Sequence, residues 1–370
     1  MTGANKDEEN KEDVVEEDWS NLNHGSDFEY YGTNIFLLSA TIIEEETTII
    51  STTGTTVQLN RPLQMNLRCV ESLTPMDMLD LSNGTADATG NRIWMGALFF
   101  IECFVRPLPR LSTNNETFHS KIRAMSELRS ALFFNKIICE LGAGTGASLI
   151  AIGLAGTVCE HVKPKSLTLT DNDPVVLSLC EKNCITNFKD DVGVNFQVCP
   201  LDWGKDNHEK IMHESDGDDN DNGRRRKHIY ASSQDTVVAT DVIYDLSALQ
   251  PLFETASILV KIGGFFVLSH VPRACIECDW KDIRDSLEHE ILNEAATHNF
   301  ALITSMACGS TNDNLHNSIL EVVGKDDHAI RPIALMDLWG GDAKMLSSSN
   351  DCDLLELDSV GASIIIFRRE

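Results

Sequence analysis

The run CELGAGTGASL at residues 139–149 constrains the fold most. An apolar strand that breaks into Gly142-x-Gly144-x-Gly146 and passes straight into a helix needs backbone that turns through positive φ, which glycine adopts without a Cβ penalty. The helix that follows presents unpaired N–H groups and positive partial charge at its start, suited to a carboxylate or a phosphate. In open α/β sheets such a strand-to-helix turn marks the crevice where ligands bind. A tight turn without a ligand is the weaker reading, because a strand precedes the glycines and a helix follows them.

Around this turn the chain alternates between strand-like and helix-like patterns. Residues 136–141 (KIICEL) read as the first strand and ASLIAIGLAGTVCEHV as the helix after it. Residues 166–170 form a second strand, with a helix starting near Pro174. Further strands follow at 195–199, 236–240 and 264–269, then an amphipathic helix over 280–298. The runs FALITSMA and ASIIIFRR close the series. Strands separated by helical patterns imply βαβ units and a largely parallel sheet. The last two strands are joined by a long excursion and not by a crossover helix, so residues 363–367 are expected to run antiparallel.

Upstream, RIWMGALFFIECFV (92–105) is apolar on nearly all sides and reads as a buried helix ended by Pro107 and Pro109. Residues 36–67, rich in Thr, Ile and Val with a turn at Thr53-Gly54, suggest a β-hairpin or short sheet. The expected organisation is therefore an acidic disordered tail over 1–30, a β-rich extension over 31–90, and an α/β domain over 91–370. A disordered acidic and basic insertion interrupts that domain at 205–228.

The formal net charge of −27 argues against a general nucleic-acid binder, since phosphate would be repelled by most of the surface. Much of it is local, in the tail and in DNHEKIMHESDGDDNDNG. No apolar run approaches the roughly 18 residues needed to span a bilayer, and the acidic N-terminus lacks the apolar stretch of a secretory signal. Eleven cysteines without regular spacing suit a reducing compartment, cytoplasm or nucleus. The isolated Cys275-x-x-Cys278 has no second pair, so no metal site is expected. Cys180 and Cys184 share a helical face and read as core; His270 reads as structural. The run RRRK at 224–227 reads first as a solvated loop and second as an import or phosphate-binding patch.

Several residues gather around the glycine turn in this reading. Asp171, at the carboxyl end of the second strand, is placed where a carboxylate can accept both hydroxyls of a ribose. The same Asp-Asn-Asp-Pro run is also good helix-capping sequence. Dinucleotide folds favour G-x-G-x-x-G; the spacing here, preceded by Glu140, does not follow it.

With these residues the chain resembles the protein-lysine branch of the seven-β-strand (class I) S-adenosylmethionine-dependent methyltransferases, over roughly residues 91–370. The marks are Trp94 in RIWMGALFF, ELGAGTG at 140–146, Asp171, the triplet LDW at 201–203, and ATDVIYD at 239–245, which holds the D-x-x-Y element. Thr240 departs slightly from the pattern, in which alanine often precedes the aspartate. The resemblance implies a Rossmann-like seven-stranded sheet with an antiparallel last strand, S-adenosyl-L-methionine as cofactor, and methyl transfer to a lysine of a protein partner. It implies that Trp94 packs near the cofactor, that Glu140, Gly142, Ala143, Gly144 and Gly146 form the turn around its methionine part, and that Asp171 holds its ribose. Asp202 and Trp203 would flank the adenine, with Thr240 contributing a backbone contact. Asp241 and Tyr244 would carry the acceptor side, Asp241 orienting the amine and Tyr244 bounding the channel.

A lysine acceptor raises a protonation problem. With a pKa of ~10.4 only about one amine in a thousand is uncharged at neutral pH, and a cationic sulfonium nearby helps shed the proton. Other acceptors (histidine, arginine, a small molecule) and a catalytically silent cofactor-binding protein remain as alternatives. A monomer without direct nucleic-acid or membrane contact is expected.

Overall fold

In the computed structural model the described residues are 31–38, 63–70, 88–109, 116–188, 193–204, 229–272, 280–307, 309, 333–340, 358 and 361–370. The chain divides into a short unit, Met1–Tyr31, and a large one, Gly32–Glu370, which holds the main sheet. The acidic tail, the 205–228 insertion with its RRRK run, the Thr53-Gly54 turn and the Cys275/Cys278 pair lie outside the described residues.

Two strands at the start, β1 (Tyr31–Leu38) and β2 (Leu63–Val70), pair with each other. Helices α1 (Met95–Phe104) and α2 (Glu116–Phe133) follow, then the alternating body: β3 (Ile137–Leu141), α3 (Ala147–Val158), β4 (Ser166–Asp171), α4 (Pro174–Asn187), β5 (Phe196–Pro200), β6 (Gln234–Thr240), α5 (Leu249–Leu259), β7 (Val260–His270), α6 (Trp280–Thr297), β8 (Phe300–Ala307), β9 (Ile333–Ala334), α7 (Met336–Trp339) and β10 (Ser363–Arg369).

The main sheet has the order β5-β4-β3-β6-β7-β10-β8-β9. Pairs from β5 to β7 are parallel, and β10 runs antiparallel to both β7 and β8. This is a mostly parallel, Rossmann-like sheet with an antiparallel last strand, as the resemblance implied. It carries one strand more than expected, the two-residue β9, parallel to β8 at the edge. From β3 the chain winds outward through β4 and β5, then returns to the other side of β3 as β6. The crevice at such a reversal, beyond the carboxyl ends of β3 and β6, is where this architecture takes ligands.

The central strands β3, β4 and β6 are buried along nearly their whole length because helices cover both faces. On one face a core around Phe99, Phe100, Phe104 and Phe133 joins α1 and α2 to α3; Met65 and Leu67 of β2 are buried in the same core. On the other face Phe253, Phe266, Phe300 and Phe367 interlock, with Phe253 edge-on to Phe266 at 5.2 Å between centroids. Each buried phenylalanine contributes roughly 1.5–3 kcal/mol by removing apolar surface from water.

Helix α2 was not expected from the sequence. Its stripe of Ile122, Met125, Leu128, Leu132 and Phe133 packs inward, and its Arg129 is buried. The Arg129 guanidinium donates to the carbonyls of Cys103 and Arg106 at the end of α1. Burial lowers its pKa to about 10. Helix α1 itself starts at Met95, three residues later than the apolar run, because Trp94 is extended (φ −94°, ψ 158°) and occupies the N-cap. No helix among the described residues is long and apolar enough to cross a membrane.

Candidate active site

The glycine turn has the backbone its sequence demands. Gly142, Gly144 and Gly146 have φ of +66°, +54° and +80°. The turn is fixed by the Ala143 N–H donating to Thr170 O at 2.7 Å and the Gly146 N–H donating to Ala143 O at 2.8 Å. The glycines differ in what they make room for. A Cβ at Gly142 would lie 2.8 Å from Val242 Cγ1 and 3.1 Å from the Trp203 ring; one at Gly144 would lie 3.0 Å from Gly90 O. At Gly146 it would meet Cys180 Sγ at 2.9 Å and Leu169, so this glycine serves core packing.

Above the turn lies a cavity of about 530 Å³, within the size range of small-molecule sites. Gly142, Ala143 and Gly144 form its floor, Asp171 and Asp202 contribute carboxylates, and Trp203 and Val242 contribute apolar wall. Asp171 Oδ2 accepts from Gly144 N at 3.1 Å and Oδ1 from Asn172 N at 2.9 Å. Burial raises the pKa of Asp171, against those N–H bonds. The capping reading of the Asp-Asn-Asp-Pro run belongs to Asp173, whose carboxylate accepts from Val175 N and Val176 N at the start of α4. Capping thus falls to Asp173, as the sequence allowed for different residues of that run, while Asp171 stands in the cavity lining.

The mouth is aromatic. Trp94 and Tyr244 meet edge to face at 6.0 Å, and the Arg92 guanidinium lies 5.3 Å from the centre of the Trp94 ring. Tyr244 is 40% exposed and lines the cavity together with Arg92, Ile93 and Trp94.

Glu140 does not line the cavity. It is wholly buried beneath the turn, with Oε1 accepting from Thr240 Oγ1 at 3.1 Å, and Thr240 Oγ1 lying 3.1 Å from Ser148 Oγ. Ser148 and Thr240 do reach the cavity, so this buried carboxylate communicates with it through two hydroxyls. Among the described residues none makes a hydrogen bond of normal geometry to its Oε2. Burial raises its pKa from 4.5 to about 8, although the Thr240 and Ser148 hydroxyls oppose the effect.

Asp241 also sits outside the lining. It holds a left-handed backbone (φ 58°) at 1% exposure, and its Oδ2 accepts from Gly96 N at 2.9 Å in the first turn of α1. Its own N–H donates to Ser269 O at 2.7 Å, and Ser269 Oγ donates to Gly96 O at 2.7 Å. A Cβ on Gly96 would stand 2.7 Å from the Asp241 Cβ. The geometry therefore gives the Asp241 carboxylate a position that ties β6 to α1, whereas the sequence reading aimed it at an acceptor amine.

Of the residues read from sequence, Trp94, Gly142, Ala143, Gly144, Asp171, Asp202, Trp203, Thr240 and Tyr244 converge on one cavity; Glu140, Gly146 and Asp241 support it from below or beside. Sequence reasoning missed Gly90, Arg92 and Ser148 in the lining and Gly96 behind it. Gly96 and Ala97 interrupt a run of large apolar residues, and a glycine inside a helical pattern signals a packing reason that was available. His270 is buried with Nε2 3.3 Å from Ser363 Oγ, and Cys180 and Cys184 are core residues.

A family model described as lysine methyltransferase matches residues 74–218, less than half of the chain. None of the curated proteins matches it. Among solved structures the chain is similar to the geranyl diphosphate C-methyltransferase from Streptomyces coelicolor A3(2), at 14% identity and a TM-score of 0.34, covering 71% of this chain and 85% of that one. It is similar also to a putative sarcosine dimethylglycine methyltransferase from Galdieria sulphuraria, at 11% identity and a TM-score of 0.35, covering 69% and 86%.

Proposed function

We propose that the chain is an S-adenosylmethionine-dependent methyltransferase whose acceptor is a lysine side chain of a protein. The observation that carries this reading is the cradle formed by Gly142 and Gly144, where a Cβ would fill space beside Val242, Trp203 and Gly90 O, set against the Asp171 carboxylate at the end of β4. The residues fit a nucleoside of that kind: Trp203 offers a flat apolar wall, Asp202 and Asp171 offer acceptors for amine and hydroxyl groups, and the volume suffices. The partial family match over 74–218 supports the lysine branch. Within that branch the sequence marks resemble methyltransferase-like protein 22 most, and this finer assignment belongs to the same proposal.

Bound there, S-adenosylmethionine would supply a methyl group activated by a sulfonium centre. The chain's own residues position the partners. Trp94 and Tyr244 frame a mouth whose ring faces can flank the aliphatic stem of a lysine. Arg92, stacked on Trp94, adds positive potential at the entrance and favours the uncharged amine, the form that can react. Transfer then rests on orientation of the two reactants, without a covalent protein intermediate. A nuclear or cytoplasmic location belongs to the same reading, in keeping with eleven cysteines scattered without regular spacing.

Two measurements test this. Calorimetric titration with S-adenosylhomocysteine and with NAD should show binding of the first alone; binding of NAD alone overturns the cofactor assignment. Lysates incubated with methyl-labelled cofactor and the protein, mapped by mass spectrometry, should carry label on lysine. Label on histidine, arginine or a small molecule overturns the acceptor, and cofactor binding without any label overturns turnover.

A further inference from the structure

Two asparagines on α4 hold the N-terminal strand β2 by its backbone. Asn187 accepts from Asn66 N at 2.9 Å and donates to Asn66 O. Asn183 accepts from Arg68 N at 2.8 Å and donates to Arg68 O at 3.1 Å. The match is geometric: four helical residues rise about 6 Å, and two strand residues advance about 6.6 Å. Side-chain amides at i and i+4 therefore fall opposite alternate residues of a strand and imitate a neighbouring strand. Both asparagines are buried.

Their remaining hydrogens differ in destination. Asn187 Nδ2 donates its second hydrogen to Asn183 O at 2.8 Å, within its own helix. Asn183 Nδ2 donates its second hydrogen to Thr145 O at 2.9 Å, inside the glycine turn. Thr145 stands between Gly144 and Gly146 and borders the cavity, whereas no described residue of β2 does. We propose that Asn183 is a positioning residue for nucleoside binding: its amide couples the β2 backbone to the glycine turn and holds Thr145 O so that the Gly144 and Thr145 backbone faces the cavity. The inference rests on the proposed nucleoside site and adds a residue that lies outside the cavity.

The structure supplies its own control. Asn183→Leu and Asn187→Leu each remove three hydrogen bonds, two of them to the β2 backbone, but only the first releases Thr145. In the full-length protein, thermal unfolding should fall similarly for both. Affinity for S-adenosylhomocysteine should fall about tenfold or more in Asn183→Leu, and less than about twofold in Asn187→Leu. Equal losses in the two variants, or unchanged affinity in Asn183→Leu, overturn the proposal. Should Asn183→Leu fail to fold, Asn183→Asp serves: it keeps the acceptor for Arg68 N but turns a carboxylate oxygen towards the Thr145 carbonyl, and the same affinity loss is expected. Hydrogen exchange in the ligand-free protein separates this inference from the proposed function. Amides of residues 144–147 should exchange several-fold faster in the Asn183 variant than in the Asn187 variant even if the wild type binds no nucleoside, and equal exchange overturns the coupling.

Discussion

Asp241 Oδ2 and the Gly96 N–H are 2.9 Å apart, in a buried contact that fastens the loop after β6 to the first turn of α1. A charge-assisted bond at a helix start satisfies an orphan N–H and favours the positive end of the helix dipole. Trp94, one of the two mouth aromatics, is the residue that caps this same helix. The placement of the aromatic mouth therefore depends on Asp241.

Asp241→Ala is expected to cost roughly 1.5–3 kcal/mol of stability, the range for a lost hydrogen bond to a charged group, and to lower methyl transfer as α1 shifts. Asp241→Asn keeps an acceptor and tolerates the left-handed backbone, so it should retain most of both. Urea denaturation alongside transfer rates checks this. An Asn variant of wild-type stability but no transfer would show that Asp241 touches the acceptor after all.

Gly144→Ala forces a Cβ to 3.0 Å from Gly90 O at φ +54°. The backbone penalty alone is roughly 1–2 kcal/mol, and the methyl group enters the cradle. The expected result is at least about a tenfold loss of S-adenosylhomocysteine affinity. Gly146→Ala, whose Cβ points into the core at Cys180 and Leu169, should show its main effect in thermal unfolding. Calorimetry and unfolding run on both variants distinguish the two outcomes.

Glu140 gives a pH dependence with a definite sign. Its folded pKa of about 8 lies above the ordinary 4.5. Between these values the folded protein holds a proton that the unfolded chain has released, so stability falls as pH rises through this window, by up to about 1.4 kcal/mol per pH unit. Below 4.5 both states are protonated and the penalty vanishes. Glu140→Gln should flatten the fall, read from denaturant midpoints across the window; an identical slope in both proteins would rule out Glu140 as its source.

Tyr244→Ala should reduce kcat/KM for the protein acceptor at least about tenfold while S-adenosylhomocysteine affinity stays within about twofold, because the ring stands at the exposed mouth and not on the floor. Tyr244→Phe, which keeps the ring, should retain most transfer. Parallel losses in affinity and turnover would place Tyr244 against the cofactor instead.

The glycine turn, β3 to β8 and the antiparallel β10 were legible because apolar runs, glycines and Asp171 follow local rules that tertiary context does not override. Helix α2 was missed because its stripe is interrupted by the charged Arg129, which reads as surface until α1 supplies carbonyls for it. Helix α5 was not singled out, although the expected βαβ alternation calls for a crossover between β6 and β7. Asp241 was placed on the acceptor side because residue type and strand-end position suited it. That its Oδ2 meets Gly96 N, 145 positions away in the chain, is encoded by no local pattern. Arg92 was passed over since nothing before folding places it on Trp94.

The position of β10 between β7 and β8 sets an order of events during synthesis. Both flanking strands leave the ribosome well before the strand that separates them, with bare edges and a row of buried phenylalanines on offer. Until β10 arrives they must be kept apart, or they will pair with each other or with another nascent chain. This half of the molecule is thus expected to need a chaperone's shelter that the β3–β5 part, whose neighbours appear in succession, does not.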